Sequence, residues 1–208
     1  MSLEKRYNRI IKFYNTISRI YDLLGVFEWD VIEKGLNLVE LDRCEYALDI
    51  GCGTGRVLKW LSNKCKAVVG LDIASGMIRV AKKKLEGKIN ASLLLADALY
   101  PPFRDESFDL VTSVFTLEIL AYEDLMKTLT EALRILRKGG KFLAISILDK
   151  PCRSIKVYKF LGKLFPTIFN CKPIKLDGFL RDVGFNILVR HEVSLYGFPI
   201  IIIIARKE

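Results

Sequence analysis

The chain has 208 residues, 51% of them hydrophobic, which is room for one α/β domain with a sizeable core and too little for a second. Its formal charge of +9 admits nucleic acid or an anionic membrane as a partner, and equally fits a lysine-rich solvated surface. The start, Met1 to Arg6, lacks the apolar run of a signal peptide, and no apolar stretch approaches the roughly 18 residues of a membrane span, so a cytoplasmic protein is expected. Five cysteines (Cys44, Cys52, Cys65, Cys152, Cys171) form no C-x-x-C pair and have only His191 to assist them, which argues against a zinc site and for free, buried thiols.

Residues 4–24 and 28–41 are expected as helices, with Ile10, Phe13, Ile17, Ile20 and Leu24 at helical spacing. Strand and helix then alternate: strand 45–50, helix 54–64, strand 66–72, helix 75–86, strand 91–96, strand 108–115, helix 122–137, strand 141–148. Such alternation predicts a parallel sheet covered by helices. Residues 150–175 carry Lys150, Arg153, Lys156, Lys159, Lys163, Lys172 and Lys175 against no acid, interleaved with Tyr158, Phe160, Phe165 and Phe169. A short helix, 176–182, ends at Gly184, and strands 185–194 and 199–206 follow. Their short connection around Tyr196-Gly197-Phe198-Pro199 makes them antiparallel, and Ile200 to Ile204 predicts a strand buried on both faces.

The most informative stretch is Leu48-Asp49-Ile50-Gly51-Cys52-Gly53-Thr54-Gly55-Arg56, an apolar strand running into an acid, a glycine triplet and a new helix. Glycines at alternate positions let a ligand rest on the backbone, and the helix start offers unpaired N–H groups. The dinucleotide fingerprint G-x-G-x-x-G is not met, because the third glycine, Gly55, comes one residue early; NAD is therefore disfavoured. Asp49 would repel a pyrophosphate and favour a cationic ligand, of which S-adenosylmethionine is one. The second strand ends on Asp72, near the roughly 20-residue offset at which an acid grips ribose hydroxyls in doubly wound folds.

Taken together the chain resembles the class I S-adenosylmethionine-dependent methyltransferases. The resemblance rests on five motifs in order: the glycine turn; Gly70-Leu71-Asp72; Ala96-Asp97-Ala98 with Pro102-Phe103; Ser107-Phe108-Asp109-Leu110-Val111; and Leu136-Arg137-Lys138-Gly139-Gly140. The opening Tyr14-Asn15-Thr16-Ile17-Ser18-Arg19-Ile20-Tyr21-Asp22 is similar to the branch that methylates quinone precursors of ubiquinone and menaquinone and other small molecules. It implies a doubly wound, Rossmann-like, seven-stranded and mostly parallel sheet with an antiparallel last strand and helices on both faces. The single domain 1–208 would comprise leading cap helices (1–42), a cofactor-binding core (43–149), a basic aromatic lid (150–176), and a C-terminal helix and hairpin (177–208).

The resemblance further implies that S-adenosylmethionine is held by Asp49, Gly51, Cys52, Gly53 and Gly55, by Asp72 with Ile73, by Asp97 with Ala98, and by Phe115 and Tyr21. Glu118, after the fourth strand, is the candidate catalytic base, although Ile119 stands where related enzymes often carry a histidine. Glu118 and Asp149 have no recognisable third ligand, so no metal is assigned. Tyr100-Pro101-Pro102-Phe103 resembles the motif of base-methylating enzymes but follows the third strand rather than the fourth, so nucleic acid is not expected as a partner. The expected activity is methyl transfer to a small apolar or aromatic acceptor; the rivals are an RNA or protein methyltransferase and a catalytically silent cofactor-binding module. Within the lid, Val157, Leu161 and Leu164 fall on one helical face and Lys156, Lys159 and Lys163 on another; such a helix either packs on the domain or makes a peripheral contact with an anionic membrane.

Overall fold

The structure is a computed structural model that describes residues 3–25, 28–41, 43–167 and 170–208, without the side chains of residues 3–6 and 24. Phe169 and the Leu24 side chain lie outside the described residues. The leading segment forms α1 (Leu3–Ile17), α2 (Tyr21–Leu24) and α3 (Trp29–Leu38). The single helix expected over 4–24 is broken between Ile17 and Tyr21. There the Ser18 hydroxyl donates to the Asn15 carbonyl at 3.0 Å, and the Ile20 N–H turns back to Ile17. A hydroxyl bonded to a carbonyl three residues earlier competes with the helical ladder, so the chain tightens into a turn.

The sheet contains β1 (Tyr46–Ile50), β2 (Ala67–Asp72), β3 (Ala91–Leu95), β4 (Phe108–Val114), β5 (Leu136–Ile147), β6 (Asn186–Leu195) and β7 (Phe198–Arg206), in the order β3-β2-β1-β4-β5-β7-β6. β1 pairs in parallel with β2 and β4, β2 with β3, and β4 with β5. β7 enters between β5 and β6 and is antiparallel to both. Its Ile200 to Ala205 run is buried throughout, as befits an interior strand covered on both faces. Tyr196 and Gly197, both at positive φ (49° and 79°), close the β6–β7 hairpin in the way two-residue connections favour.

Helices α4 (Arg56–Leu61), α5 (Ser75–Lys84), α6 (Tyr122–Ile135), α7 (Arg153–Leu164) and α8 (Leu176–Val183) complete the fold. Two apolar cores form on opposite sheet faces. Leu125, Leu129 and Ile135 of α6 with Leu176 and Leu180 of α8 pack one face, while Ile32 and Leu36 of α3 with Leu58 and Leu61 of α4 pack the other. The chain leaves β1 toward β2 and β3 on one side and returns through β4 and β5 on the other. The carboxyl ends of β1 and β4 thus flank the switch point at which open α/β sheets bind ligands.

Two further expectations are corrected. Cys44 and Cys65 are joined as a disulfide, with Cα atoms 4.7 Å apart, rather than being free thiols. Each cysteine lies two residues before a strand of the parallel β1–β2 pair, and Lys66 N–H bonds the Cys44 carbonyl, so strand pairing itself brings them together. The strand expected from 141 begins at Leu136 instead, directly after α6. Leu136 pairs with Phe108, and the register shift between Phe108 and Leu110 absorbs the bend at Gly139.

Candidate functional site

The glycine turn follows β1 because Gly51 and Cys52 N–H groups both reach across to the Leu71 carbonyl at the end of β2, at 2.8 and 3.0 Å. Gly51 sits at φ +70°, and a Cβ there would collide with the Thr116 side chain from the end of β4. Gly53, at φ +51°, is different: a Cβ there would meet nothing within 4 Å. It is an open cradle on the backbone, where a ligand can lie.

Three carboxylates stand around this turn. Asp49 is buried at 2% exposure, accepts a hydrogen bond from Thr112 Oγ1 at 2.7 Å, and is pushed up to about 7 by burial. With no cation beside it among the described residues, the buried carboxylate holds a proton far above the usual aspartate range. Asp72 accepts from Gly53 N at 2.9 Å and from Ala74 N at 2.8 Å, one bond to each oxygen, so its carboxylate is locked in the plane of the turn. Burial raises its pKa against those two donors. Asp97 accepts from Leu99 N at 2.9 Å and is approached by the Tyr7 hydroxyl at 3.4 Å.

Asp49, Gly51, Cys52, Gly53, Asp72, Ile73, Asp97, Ala98, Phe115 and Tyr21 line one cleft, with a free volume of about 150 Å³. Phe115 carries positive φ (51°), a strained conformation for a bulky residue, and it lies at the end of β4 facing the glycine turn. Gly55 is not part of the lining; it faces Ala81 of α5, 3.1 Å from where its Cβ would be. Glu118 does not line the cleft either. It is fully buried, accepts from Ser146 Oγ at 2.9 Å, and burial pushes it up to about 7. Its Oε1 has no hydrogen-bond partner among the described residues, and its charge acts on Tyr14, Tyr21 and Cys171 nearby. Asp149 is paired with Lys159 at 2.7 Å, and His191 sits in β6 opposite Ile202, remote from the cleft.

The leading helices form the roof. Tyr7, Ile10, Ile11, Tyr14 and Tyr21 line the cleft from above. Asn15 Oδ1 accepts from Gly76 N at 2.6 Å, tying α1 to the start of α5. Asp22 of α2 accepts from Thr54 Oγ1 and from Lys84 Nζ, both at 2.5 Å, while Arg56 donates to the Gly25 carbonyl at 2.6 Å and lies over the Trp29 ring. Sequence reasoning missed Tyr7, Asn15, Thr116 and this clamp around Asp22. Each acts across long sequence separations, 61 residues for Asn15 and Gly76, and no local pattern announces them.

Comparison with known proteins agrees with this geometry. Residues 48–144 match the methyltransferase domain family. The chain is 32% identical over 145 residues to a malonyl-[acyl-carrier protein] O-methyltransferase of Marinomonas sp., covering 68% of this chain and 52% of that protein. It is 26% identical over 215 residues to a demethylmenaquinone methyltransferase of Thermus thermophilus, covering 92% of this chain and 95% of that one. The chain thus spans about half the length of some curated relatives and nearly all of others. A Haloferax volcanii methyltransferase solved in complex with the Trm112 activator superposes with a TM-score of 0.82 at 17% identity, covering 95% of this chain and 97% of that one, which shows the shared fold. Motif order, sheet topology and the match of residues 48–144 converge on a class I S-adenosylmethionine-dependent methyltransferase.

Proposed function

We propose that the protein transfers the methyl group of S-adenosylmethionine to a small apolar or aromatic acceptor. The observation that carries this reading is Asp49, a buried carboxylate with no cationic partner among the described residues, which lines the same cleft as the open backbone at Gly53. A ligand with an ammonium group supplies the missing charge, and the remaining lone pairs of Asp72 suit two ribose hydroxyls. Asp97 and Ala98 would take the adenine, and Ile73 and Phe115 line the same cleft. When bound, the cofactor supplies a methyl carbon already activated by a sulfonium.

The chain's own residues then have to orient the reactants and exclude water. Ile10, Ile11, Tyr14, Ile119 and Leu120 present an apolar lining to the same cleft, which suits both tasks. Glu118, pushed up to about 7 by burial, does not line the cleft, so it would act on an acceptor proton only through Tyr14 and Tyr21, which do line it and feel its charge.

The test is to incubate the protein with radiolabelled cofactor and a cell extract, then fractionate. Label in the small-molecule or lipid fraction is the expected result. Label confined to RNA or protein would replace the acceptor class, and tight cofactor binding with no label anywhere would reduce the protein to a binding module.

A further inference from the structure

The segment after β5 carries α7 at the protein surface. In α7 the residue facing inward is Ile155, 2% exposed, with Tyr158 on the same side in edge contact with Phe198 at 5.8 Å. The opposite face is uncovered by the described residues. Val157 is 51% exposed, Phe160 61% and Leu164 56%, at i, i+3 and i+7, and Phe165 just beyond the helix is 53% exposed. Three large apolar side chains in one row on the helix, with a fourth just past its end, are not explained by packing against the described residues.

Their surroundings are cationic. Arg153, Lys156 and Lys163 of the same helix make no ion pair among the described residues, and residues 150–176 contain no acid to neutralise them. Beside the helix, between α1 and α7, lies a cavity of about 510 Å³ edged by Arg9, Lys163 and Lys172. An exposed apolar row, flanking lysines and a basic recess fit one surface: apolar chains beneath anionic headgroups.

We propose that α7 docks the protein on an anionic lipid bilayer, with Val157, Phe160, Leu164 and Phe165 entering the headgroup–acyl boundary and Lys156 and Lys163 meeting lipid phosphates. The charge complementarity favours lipid over a protein partner: Lys159 is neutralised by Asp149, but Arg153, Lys156 and Lys163, beside the apolar row, have no acid paired with them among the described residues and offer a partner one sign only.

Vesicle sedimentation tests this on the full chain. The protein pellets with phosphatidylglycerol–phosphatidylcholine vesicles and not with phosphatidylcholine alone. Lys156→Glu with Lys163→Glu weakens binding about tenfold or more, and so does Phe160→Ser with Leu164→Ser. A control of equal charge change on a distant helix end, Lys82→Glu with Lys83→Glu, leaves binding nearly intact, although the chain's +9 charge falls equally. In a Phe160→Trp variant, fluorescence shifts to the blue on anionic vesicles and is quenched by brominated lipid. Absence of pelleting overturns the proposal, and so does an equal loss in the control pair, which would mean adsorption through net charge. Retained binding by the serine pair overturns it as well. S-adenosylhomocysteine binding by the same variants reports separately on the cofactor site.

Discussion

Asp49 and Glu118 put two ionisations near pH 7 inside the domain, and they make opposite kinds of prediction. Asp49 must be charged to meet a ligand ammonium, yet in the free protein burial holds its pKa at about 7. Cofactor binding therefore draws its proton off, and affinity falls as pH drops through 7. Between pH 8 and pH 6 calorimetry is expected to show a loss of about tenfold, while Asp49→Asn binds weakly at both pH values and is flat. For Glu118 the folded pKa, about 7, exceeds the ordinary carboxylate value of an unfolded chain. The protonated form favours the fold, so this contribution is complete below the unfolded value and is lost as pH rises through 7. Glu118→Gln is expected to unfold at higher denaturant than wild type at pH 8, by about 1 to 3 kcal/mol, and to match it near pH 5. Asp72→Ala should weaken cofactor binding by about 1 to 3 kcal/mol and His191→Ala should leave it unchanged; equal effects in folded variants would remove Asp72 from the site. The acids at strand ends were legible in the sequence because strand, acid and glycine turn are neighbours in the chain. Tyr7, Asn15 and Thr116 were not, since what brings them to the cleft is the docking of one element on another.

At the level of elements, α1 carries the roof of the site. The Asn15–Gly76 and Tyr7–Asp97 bonds hold it over the cleft, and the free volume beneath, about 150 Å³, is below the roughly 300 Å³ at which ligand pockets usually begin. Cofactor entry is therefore expected to lift this roof. Hydrogen exchange is expected to be fast in α1 of the free protein and slower with S-adenosylhomocysteine, with no comparable change in β7. Equal rates in α1 with and without the ligand would contradict a moving roof. Helical spacing identified the leading segment as helix but could not place the break at Ser18, which depends on one hydroxyl finding one carbonyl. In α7 the spacing showed an apolar face without showing whether anything covers it, because coverage is a property of the neighbours rather than of the helix.

For the molecule as a whole, alternation of strands and helices was enough to specify a parallel sheet with helices on both faces, and the short Tyr196-Gly197 connection was enough to make the last pair antiparallel. The insertion of β7 beside β5 follows from burial: a strand with Ile200 to Ala205 all apolar needs cover on both faces, which an edge position does not supply. The Cys44–Cys65 bond was outside what spacing can show, since 21 residues separate the two and only the β1–β2 register brings them together. Closing a loop of that length is expected to contribute about 3 kcal/mol, so Cys44→Ser with Cys65→Ser should lower the denaturation midpoint, and reductant should do the same to the wild type alone.

The central claim is that the cleft under α1 is built for a cationic adenosyl ligand and not for a dinucleotide. Isothermal titration of the protein at pH 8 with S-adenosylmethionine, S-adenosylhomocysteine and NAD tests it most directly. The account predicts saturable binding of the first two, weakened by Asp72→Ala, and far weaker binding of NAD. NAD binding as tight as S-adenosylmethionine, or no binding of either adenosyl ligand by a folded protein, would contradict it.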